Sequence, residues 1–105
     1  MNSITAKELF QQLTAKKDIQ LIDVRESFEH AEFNIGGTLI PLSQIVYQSE
    51  TIEKNKPVVL YCRKGIRSQL AIQRLQEKFP FTNLVNLIGG TEAWKKENFA
   101  VKFEM

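Results

Sequence analysis

The chain has 105 residues, of which 43% are hydrophobic and 25% are charged. These values are typical of one globular domain, here expected to span residues 1–105, and not of a disordered chain. Lysine and arginine outnumber aspartate and glutamate by only 14 to 12, an excess too small to indicate a nucleic-acid or membrane partner. Cys62 is the single cysteine, which excludes an intramolecular disulfide and a cysteine-rich zinc site.

The N-terminal segment MNSITAKELF contains neither an apolar run nor a basic leader, so no signal peptide is expected. No segment reaches the roughly 20 apolar residues that a membrane span needs. We therefore expect the protein in the cytoplasm, where a lone thiol stays reduced and available for chemistry.

Hydrophobic periodicity predicts helices and strands that alternate along the chain. The first helix begins at a capping box formed by Thr5 and Glu8. The predicted elements, in chain order, are a helix over about 5–15, a strand over 20–25, a helical turn or short helix over 26–32, a short strand over 38–42, one or two helical turns over 43–49, a strand over 57–62, a helix from 65 to Pro80, a strand over 84–88, and a helix capped by Thr91 that ends at about Glu97. Pro41 either ends the strand over 38–42 or places it at an edge of the sheet. Phe99, Val101 and Phe103 then alternate, which predicts an extended terminal segment.

Strands that alternate with helices over such short connections predict a parallel α/β sheet with right-handed crossovers. The strand over 57–62 carries consecutive β-branched and aromatic residues, which is typical of a central strand buried on both faces. In such sheets, functional sites form at the carboxyl ends of the strands. The segment from Cys62 to Ser68 is therefore the first place to look for chemistry.

Three features of this segment favour a thiolate at Cys62. The segment leads into a predicted helix, whose N-terminus presents free N–H groups and a partial positive charge. Gly65 permits a backbone curl in which successive N–H groups point inward as an anion nest. The cations of the segment are Arg63, Lys64 and Arg67. The sequence thus predicts a cysteine nucleophile in an anion-binding loop, and the alternative is a buried, inert cysteine beside solvated cations.

Four segments resemble those of single-domain rhodaneses, a family of sulfurtransferases, in their residues, order and spacing. They are LIDVRE over 21–26, IPL over 40–42, VVLYCRKGIRS over 58–68 and LIGGTEAW over 87–94. The resemblance extends from near Thr5 to near Trp94, and CRKGIRS is its most specific part. It implies a rhodanese-like α/β fold in which a parallel β-sheet is flanked by helices on both faces.

In that family the loop cysteine takes sulfur from a sulfane donor, commonly thiosulfate, and becomes a persulfide. Cyanide, or the thiol of a small molecule or protein, then accepts the sulfur. The resemblance makes Cys62 the nucleophile, and it assigns binding of the terminal sulfur and the anionic donor to Arg63, Lys64, Gly65, Ile66 and Arg67. The cations among them would also stabilise sulfite as it leaves. No metal, nucleotide or organic cofactor is implied.

Loop length separates sulfur transfer from a related chemistry. Rhodanese-like phosphatases and arsenate reductases have a loop that is one residue longer, with an arginine six positions after the cysteine. Here Ser68 occupies that position, and Arg67 lies five residues after Cys62. A shorter ring of N–H groups suits a sulfur atom better than a tetrahedral phosphate, which favours sulfur transfer.

A second hypothesis is a sulfur relay that depends on a protein partner. The segment FNIGG over 33–37 departs from the family's usual GHIPGA. The segment NIGGTLIPL is similar to rhodanese-like domains fused to proteins that activate sulfur carriers. An exposed apolar patch beside the loop, formed by Ile66 and Phe33, would favour this hypothesis. A third hypothesis is a non-catalytic binding module, against which the intact cysteine and cationic loop argue.

Other polar residues have structural interpretations. Asp23 and Arg25, at the end of a buried strand, are expected to form an ion pair or cap, with Arg25 a secondary candidate for substrate contact. His30 is interpreted as a surface residue, because the rhodanese mechanism needs no histidine. The Gly89-Gly90 turn and Trp94 are expected to serve packing.

Overall fold

The computed structural model describes residues 2–99, in which helices and strands alternate as predicted. The α-helices of this part of the chain are α1 (Ala6–Thr14), α2 (Ser27–Glu32), α3 (Ile66–Lys78) and α4 (Gly90–Glu97). Its strands are β1 (Ser3–Ile4), β2 (Gln20–Asp23), β3 (Thr38–Leu39), β4 (Val58–Tyr61) and β5 (Leu84–Leu87). Two 3-10 helices, Leu42–Gln44 and Ser49–Thr51, lie between β3 and β4 in and beside the segment where helical turns are predicted.

The described strands form one parallel sheet in the order β1-β5-β4-β2-β3. The central strand is β4, whose Leu60 pairs with Ile22 of β2 on one side and Asn86 of β5 on the other. β3 forms an edge of the sheet, one of the two outcomes predicted from Pro41. Because the strands are parallel, the segments that follow β2, β4 and β5 emerge at the same edge of the sheet and become neighbours.

The sheet is covered on both faces, and the alternating residues of β4 belong to two separate cores. Val58 and Leu60 lie in one core, together with the apolar face of α3. Val59 and Tyr61 lie in the other, with α1 and α4. This double burial explains the continuous apolar run in the sequence. The predicted class, a parallel α/β sheet with helices on both faces, is confirmed.

The starts of α1 and α4 differ in how they satisfy their free amides. α1 begins at the predicted capping box, in which the Thr5 hydroxyl accepts from the Glu8 N–H at 3.1 Å and the Glu8 carboxylate accepts from the Thr5 N–H at 2.9 Å. The prediction that Thr91 caps α4 is wrong. The N-cap is Gly89, and Thr91 lies buried inside the helix, where its N–H donates to the carbonyl of Cys62 at 2.9 Å. That backbone contact satisfies an amide that a capping side chain would otherwise satisfy.

Each of the four predicted strands is longer than the strand observed, and one observed strand is absent from the prediction. β2 ends at Asp23, and beyond it the N–H of Arg25 donates to the Asp23 carboxylate at 3.0 Å and not to a neighbouring strand. β3 ends at Leu39, because Pro41 has no N–H to donate and a 3-10 helix begins at Leu42. The strand absent from the prediction is β1, which has only two residues.

Phe99 packs against α1 and α4. Its ring stacks on Phe10, with 4.0 Å between ring centroids, and meets Trp94 edge-on at 4.7 Å. Val101 and Phe103, the rest of the predicted extended segment, lie outside the described residues. Within residues 2–99, no helix combines the length and apolar character needed to cross a membrane.

Candidate active site

The fold holds Cys62 at the carboxyl end of the central strand, where a tight loop leads from β4 into α3. The loop is closed by Gly65, which has a left-handed backbone with φ of 95° and serves as the N-cap of α3. A β-carbon at Gly65 would lie 3.2 Å from the Gly89 nitrogen and 3.3 Å from the Leu87 carbonyl oxygen. Conformation and space therefore both favour glycine at this position.

The sulfur of Cys62 is a hydrogen-bond acceptor inside this loop. It accepts from the backbone N–H of Gly65 at 3.1 Å and from that of Ser68 at 3.4 Å. Only 1% of the cysteine surface is exposed, so these donors act where water competes little. Backbone amides at the start of a helix that donate to a sulfur stabilise negative charge on that sulfur.

A buried polar pair lies behind the sulfur. The Ser68 hydroxyl is 3.5 Å from the Cys62 sulfur and donates to the Asn86 side-chain carbonyl at 2.5 Å. Ser68 and Asn86 are both buried. Neither residue was selected by the sequence reasoning, although an asparagine inside the apolar strand LVNLI is a signal that a buried polar partner exists.

The N-terminus of α4 forms another side of the loop. The N–H of Glu92 donates to the Arg63 carbonyl at 3.0 Å, next to the bond between Thr91 and Cys62. Gly90 lies at the closest approach, with φ of 56°. The expectation that the Gly89-Gly90 turn serves packing beside the loop is confirmed.

Arg67, the last cation of the loop, is held by a carboxylate of α2. Both oxygens of Glu29 accept from its guanidinium, at 2.8 and 2.9 Å. These hydrogen bonds raise the pKa of Arg67 and lower the pKa of Glu29 to about 2. Glu29 lies 38 positions before Arg67 in the chain, and no local pattern in the sequence points to this contact.

The other two cations differ in their surroundings. Arg63 donates from Nε to the carboxylate of Glu92 at 2.8 Å, although most of its side chain is exposed. Lys64 is exposed and makes no ion pair with the described residues. The interpretation of the cations as merely solvated therefore applies to Lys64 and not to Arg63 or Arg67.

A buried charged cluster lies at the end of β2. Asp23 accepts from Nε and a terminal nitrogen of Arg25, at 2.9 and 2.8 Å, and the same guanidinium donates to the Phe33 carbonyl. The predicted structural ion pair is confirmed. The interpretation of His30 as a surface residue is wrong, because its Nδ1 lies 2.9 Å from the Asp23 carboxylate and the ring is mostly buried.

A cleft of about 540 Å³ opens beside the loop, between α2 and the start of α4. Arg63 and Arg25 contribute to its walls, but the Arg25 side chain is only 5% exposed and its guanidinium is held by Asp23 and Phe33. Phe33 also lines the cleft but is half-buried, with the Lys95 ammonium 4.5 Å from the centre of its ring. Of the two residues predicted to form an exposed apolar patch, only Ile66 is largely exposed, at 70%, and Phe28 of α2 is exposed to the same extent.

The fold and this site define a parallel α/β domain that presents a buried cysteine inside an N–H-lined, cation-bearing loop. The family model described as "Rhodanese-like domain" matches residues 5–97. The thiosulfate sulfurtransferase GlpE of Coxiella burnetii is 39% identical over 85 residues, which cover 80% of this chain and 78% of the relative. The chain belongs to the rhodanese-like family of sulfurtransferases.

Two further proteins show the range of similarity. A rhodanese-like domain protein from Staphylococcus aureus has a solved structure with a TM-score of 0.82 and 33% identity, covering 98% of this chain and 100% of that one. The adenylyltransferase and sulfurtransferase MOCS3-1 of Drosophila pseudoobscura pseudoobscura is 31% identical over 99 residues. That match covers 87% of this chain but only 22% of the relative, so the similarity concerns one part of a longer protein.

Proposed function

We propose that the chain is a single-domain sulfurtransferase, spanning residues 1–105, that moves sulfane sulfur through a persulfide on Cys62. The observation that carries the proposal is the Cys62 sulfur itself, buried under the N–H groups of Gly65 and Ser68 within a loop that bears three cations. The name of the Coxiella burnetii relative supports thiosulfate as a donor. The proposed location is the cytoplasm, and no nucleic-acid or membrane partner is proposed.

The proposed reaction has two steps. In the first, the Cys62 thiolate attacks the outer sulfur of thiosulfate, a new S–S bond forms, and sulfite leaves with the electron pair of the bond that breaks. In the second, cyanide or a thiolate attacks the outer sulfur of the persulfide. The thiolate of Cys62 is regenerated, and the product is thiocyanate or a new persulfide.

Each residue of the loop has a role in this proposal. Backbone N–H groups from Arg63 to Arg67 bind the terminal sulfur, which carries the negative charge of the persulfide. The side chains of Arg63, Lys64 and Arg67 attract the anionic donor. Gly65 gives the loop its curl, and Ile66 contributes its amide while its side chain remains at the surface.

The test is the intact mass of the purified protein before and after thiosulfate, and again after cyanide. We expect a gain equal to one sulfur atom, its loss on addition of cyanide, and release of thiocyanate. The variant Cys62→Ser should gain nothing. A wild-type protein that takes no sulfur from thiosulfate or from a small persulfide would overturn the proposal.

A second candidate function is a relay that accepts or delivers sulfur within a protein complex. It is favoured by two exposed apolar side chains, since Phe28 and Ile66 immediately precede Glu29 and Arg67, which contact each other across the mouth of the loop. Similarity to part of a protein named adenylyltransferase and sulfurtransferase also supports it.

The two candidates differ in what the apolar pair does. In a relay, the double variant Phe28→Ser and Ile66→Ser should lose sulfur exchange with a persulfide-bearing protein at least tenfold while exchange with thiosulfate stays unchanged. The variant Tyr47→Ser removes an aromatic ring that is 83% exposed and serves as the control. Equal rates for wild type and double variant would argue against the relay.

A further inference from the structure

We infer that Glu29 and Glu92 determine how strongly the Cys62 loop prefers a doubly charged donor over a singly charged one. They do so by cancelling part of the positive charge that surrounds the sulfur. The inference rests on the proposed sulfur transfer and adds specificity-determining residues to it. Neither carboxylate belongs to the loop, and each comes from a different helix. The loop alone would favour a doubly charged donor, and the carboxylates reduce that preference.

Glu29 is fixed from two directions. Its carboxylate binds the guanidinium of Arg67 through both oxygens, and one of these oxygens also accepts from the N–H of Glu26 at 3.1 Å, within the capping box of α2. The side chain is only 17% exposed. Because Arg67 holds the pKa of Glu29 near 2, the carboxylate remains charged throughout the neutral range. Its charge is therefore a permanent part of the site.

Glu92 is fixed to the opposite end of the loop. Its carboxylate accepts from Arg63 at 2.8 Å, and its backbone N–H donates to the carbonyl of the same residue at 3.0 Å. Two contacts between the same two residues keep the carboxylate beside the guanidinium even though both side chains are partly exposed. Glu92 also lines the cleft beside the loop, where an approaching anion would meet its charge.

The net charge of the loop cations and the two carboxylates follows from the ion pairs. Three cations stand in the loop, and two of them are in contact with a carboxylate, which leaves a net charge of about one. Coulomb attraction is proportional to the donor's charge, so each carboxylate weakens the binding of a dianion twice as much, in free energy, as that of a monoanion. Thiosulfate carries two negative charges, whereas a thiosulfonate ion carries one.

The experiment compares these two donors, thiosulfate and methanethiosulfonate, with cyanide as the acceptor. In both reactions the Cys62 thiolate takes the outer sulfur, and sulfite or methanesulfinate leaves with the electron pair of the broken S–S bond. The variants are Glu29→Gln and Glu92→Gln, in which the amide still accepts a hydrogen bond from its arginine but carries no charge. The control is Glu77→Gln, near the far end of α3.

We expect each variant to raise kcat/KM for thiosulfate about fivefold and for methanethiosulfonate only about twofold at low salt. Both gains should shrink at high salt, because mobile ions screen exposed charges. The control should change neither value. Equal gains for the two donors, or a loss with both, would overturn the inference, and the carboxylates would then serve only to position Arg67 and Arg63.

A binding measurement separates failure of the inference from failure of the proposed function. Sulfate, a dianion, and methanesulfonate, a monoanion, are tested for protection of Cys62 against alkylation by iodoacetamide, which requires no turnover. If wild-type protein transfers no sulfur, the proposed function fails, and the inference fails with it as a statement about donors. If transfer occurs but sulfate does not protect Glu29→Gln better than wild type, the inference alone fails.

Discussion

Gly90 lies directly against the carbonyl group of Cys62: a β-carbon at this position would come within 2.1 Å of the carbonyl oxygen. The same carbonyl accepts the N–H of Thr91, one residue further along α4. The start of α4 and the Cys62 loop are therefore held together through backbone atoms. In this arrangement the position of the sulfur depends on a glycine that is 28 residues away in sequence.

The variant Gly90→Ala should disable the site through this contact. The backbone there has φ of 56°, and the added methyl would also lie 2.6 Å from the Arg63 carbonyl, so the loop must move. We expect sulfur transfer to fall at least tenfold and the unfolding free energy to fall by about 1–3 kcal/mol. Steady-state kinetics and urea unfolding measure the two effects. Unchanged kinetics in a folded variant would contradict the prediction.

Ser68 lies behind the sulfur, and its removal should affect stability and not the reactivity of Cys62. In Ser68→Ala the Asn86 carbonyl loses its buried donor, which we expect to cost about 1–3 kcal/mol of stability. The single proton of the hydroxyl already goes to Asn86, so the Cys62 sulfur loses no hydrogen-bond donor, and alkylation by iodoacetamide at neutral pH should change less than about twofold.

Adding Asn86→Leu to the first substitution removes both partners of the buried pair. Most of the lost stability should then return, and the alkylation rate should stay close to that of wild type. Ser43→Ala, at an exposed position, is the control for the hydroxyl itself. Slow alkylation in both variants would contradict this assignment, because it would show that the Ser68 hydroxyl donates to the sulfur.

The sequence predicts the loop around Cys62 well because its determinants are local. A buried strand, a glycine and the start of a helix follow one another within ten residues, and the structure has all three in that order. The contacts that neutralise Arg67 and Arg63 come from residues 38 and 29 positions away. No periodicity or spacing encodes such pairs, because they arise only when β2, β4 and β5 align in the sheet.

The wrong N-cap of α4 and the missing prediction of β1 have a similar origin. Thr91 has the residue type of an N-cap, but the carbonyl of Cys62 satisfies its amide, and the helix begins two residues earlier with Gly89 as its N-cap. The two residues of β1 form a strand only because β5 offers an unpaired edge, with Ser3 opposite Asn86. In both places a tertiary contact supplies hydrogen bonds that local propensity cannot anticipate.

Tyr61 is the polar residue of the central strand, and its hydroxyl should contribute measurably to stability. Burial raises the pKa of Tyr61, so the hydroxyl keeps its proton and donates to the Gly36 carbonyl at 2.9 Å. It also accepts from the N–H of Ile35 at 3.2 Å. The variant Tyr61→Phe leaves both backbone groups without this partner, and we expect a loss of about 1–3 kcal/mol in urea unfolding.

Tyr47 provides the matched control for that prediction, because its ring is 83% exposed. Tyr47→Phe should change stability by less than about 0.5 kcal/mol. A similar loss in both variants would assign the effect to the loss of a hydroxyl in general and not to the bonds with Gly36 and Ile35.

Glu29 should make stability depend on pH in acid. Its hydrogen bonds from Arg67 lower its pKa from the ordinary value of 4.5 to about 2 in the folded protein. A carboxyl whose pKa is lower when folded stabilises the fold above its unfolded pKa and loses that contribution as pH falls toward its folded pKa. The contribution should therefore be complete above about pH 5 and largely lost near pH 2.

The variant Glu29→Gln isolates this contribution, because glutamine does not titrate. At pH 6 we expect the unfolding free energy of wild type to exceed that of Glu29→Gln by about 1 kcal/mol. Solvent that reaches Arg67 keeps this difference small. Urea unfolding at intervals from pH 6 to pH 2 should show the difference closing below pH 4.5. Glu77→Gln, on the exposed surface of α3, should show no such closure. A difference that stays constant down to pH 2 would mean that Glu29 stabilises the fold through packing and hydrogen-bond geometry and not through its charge.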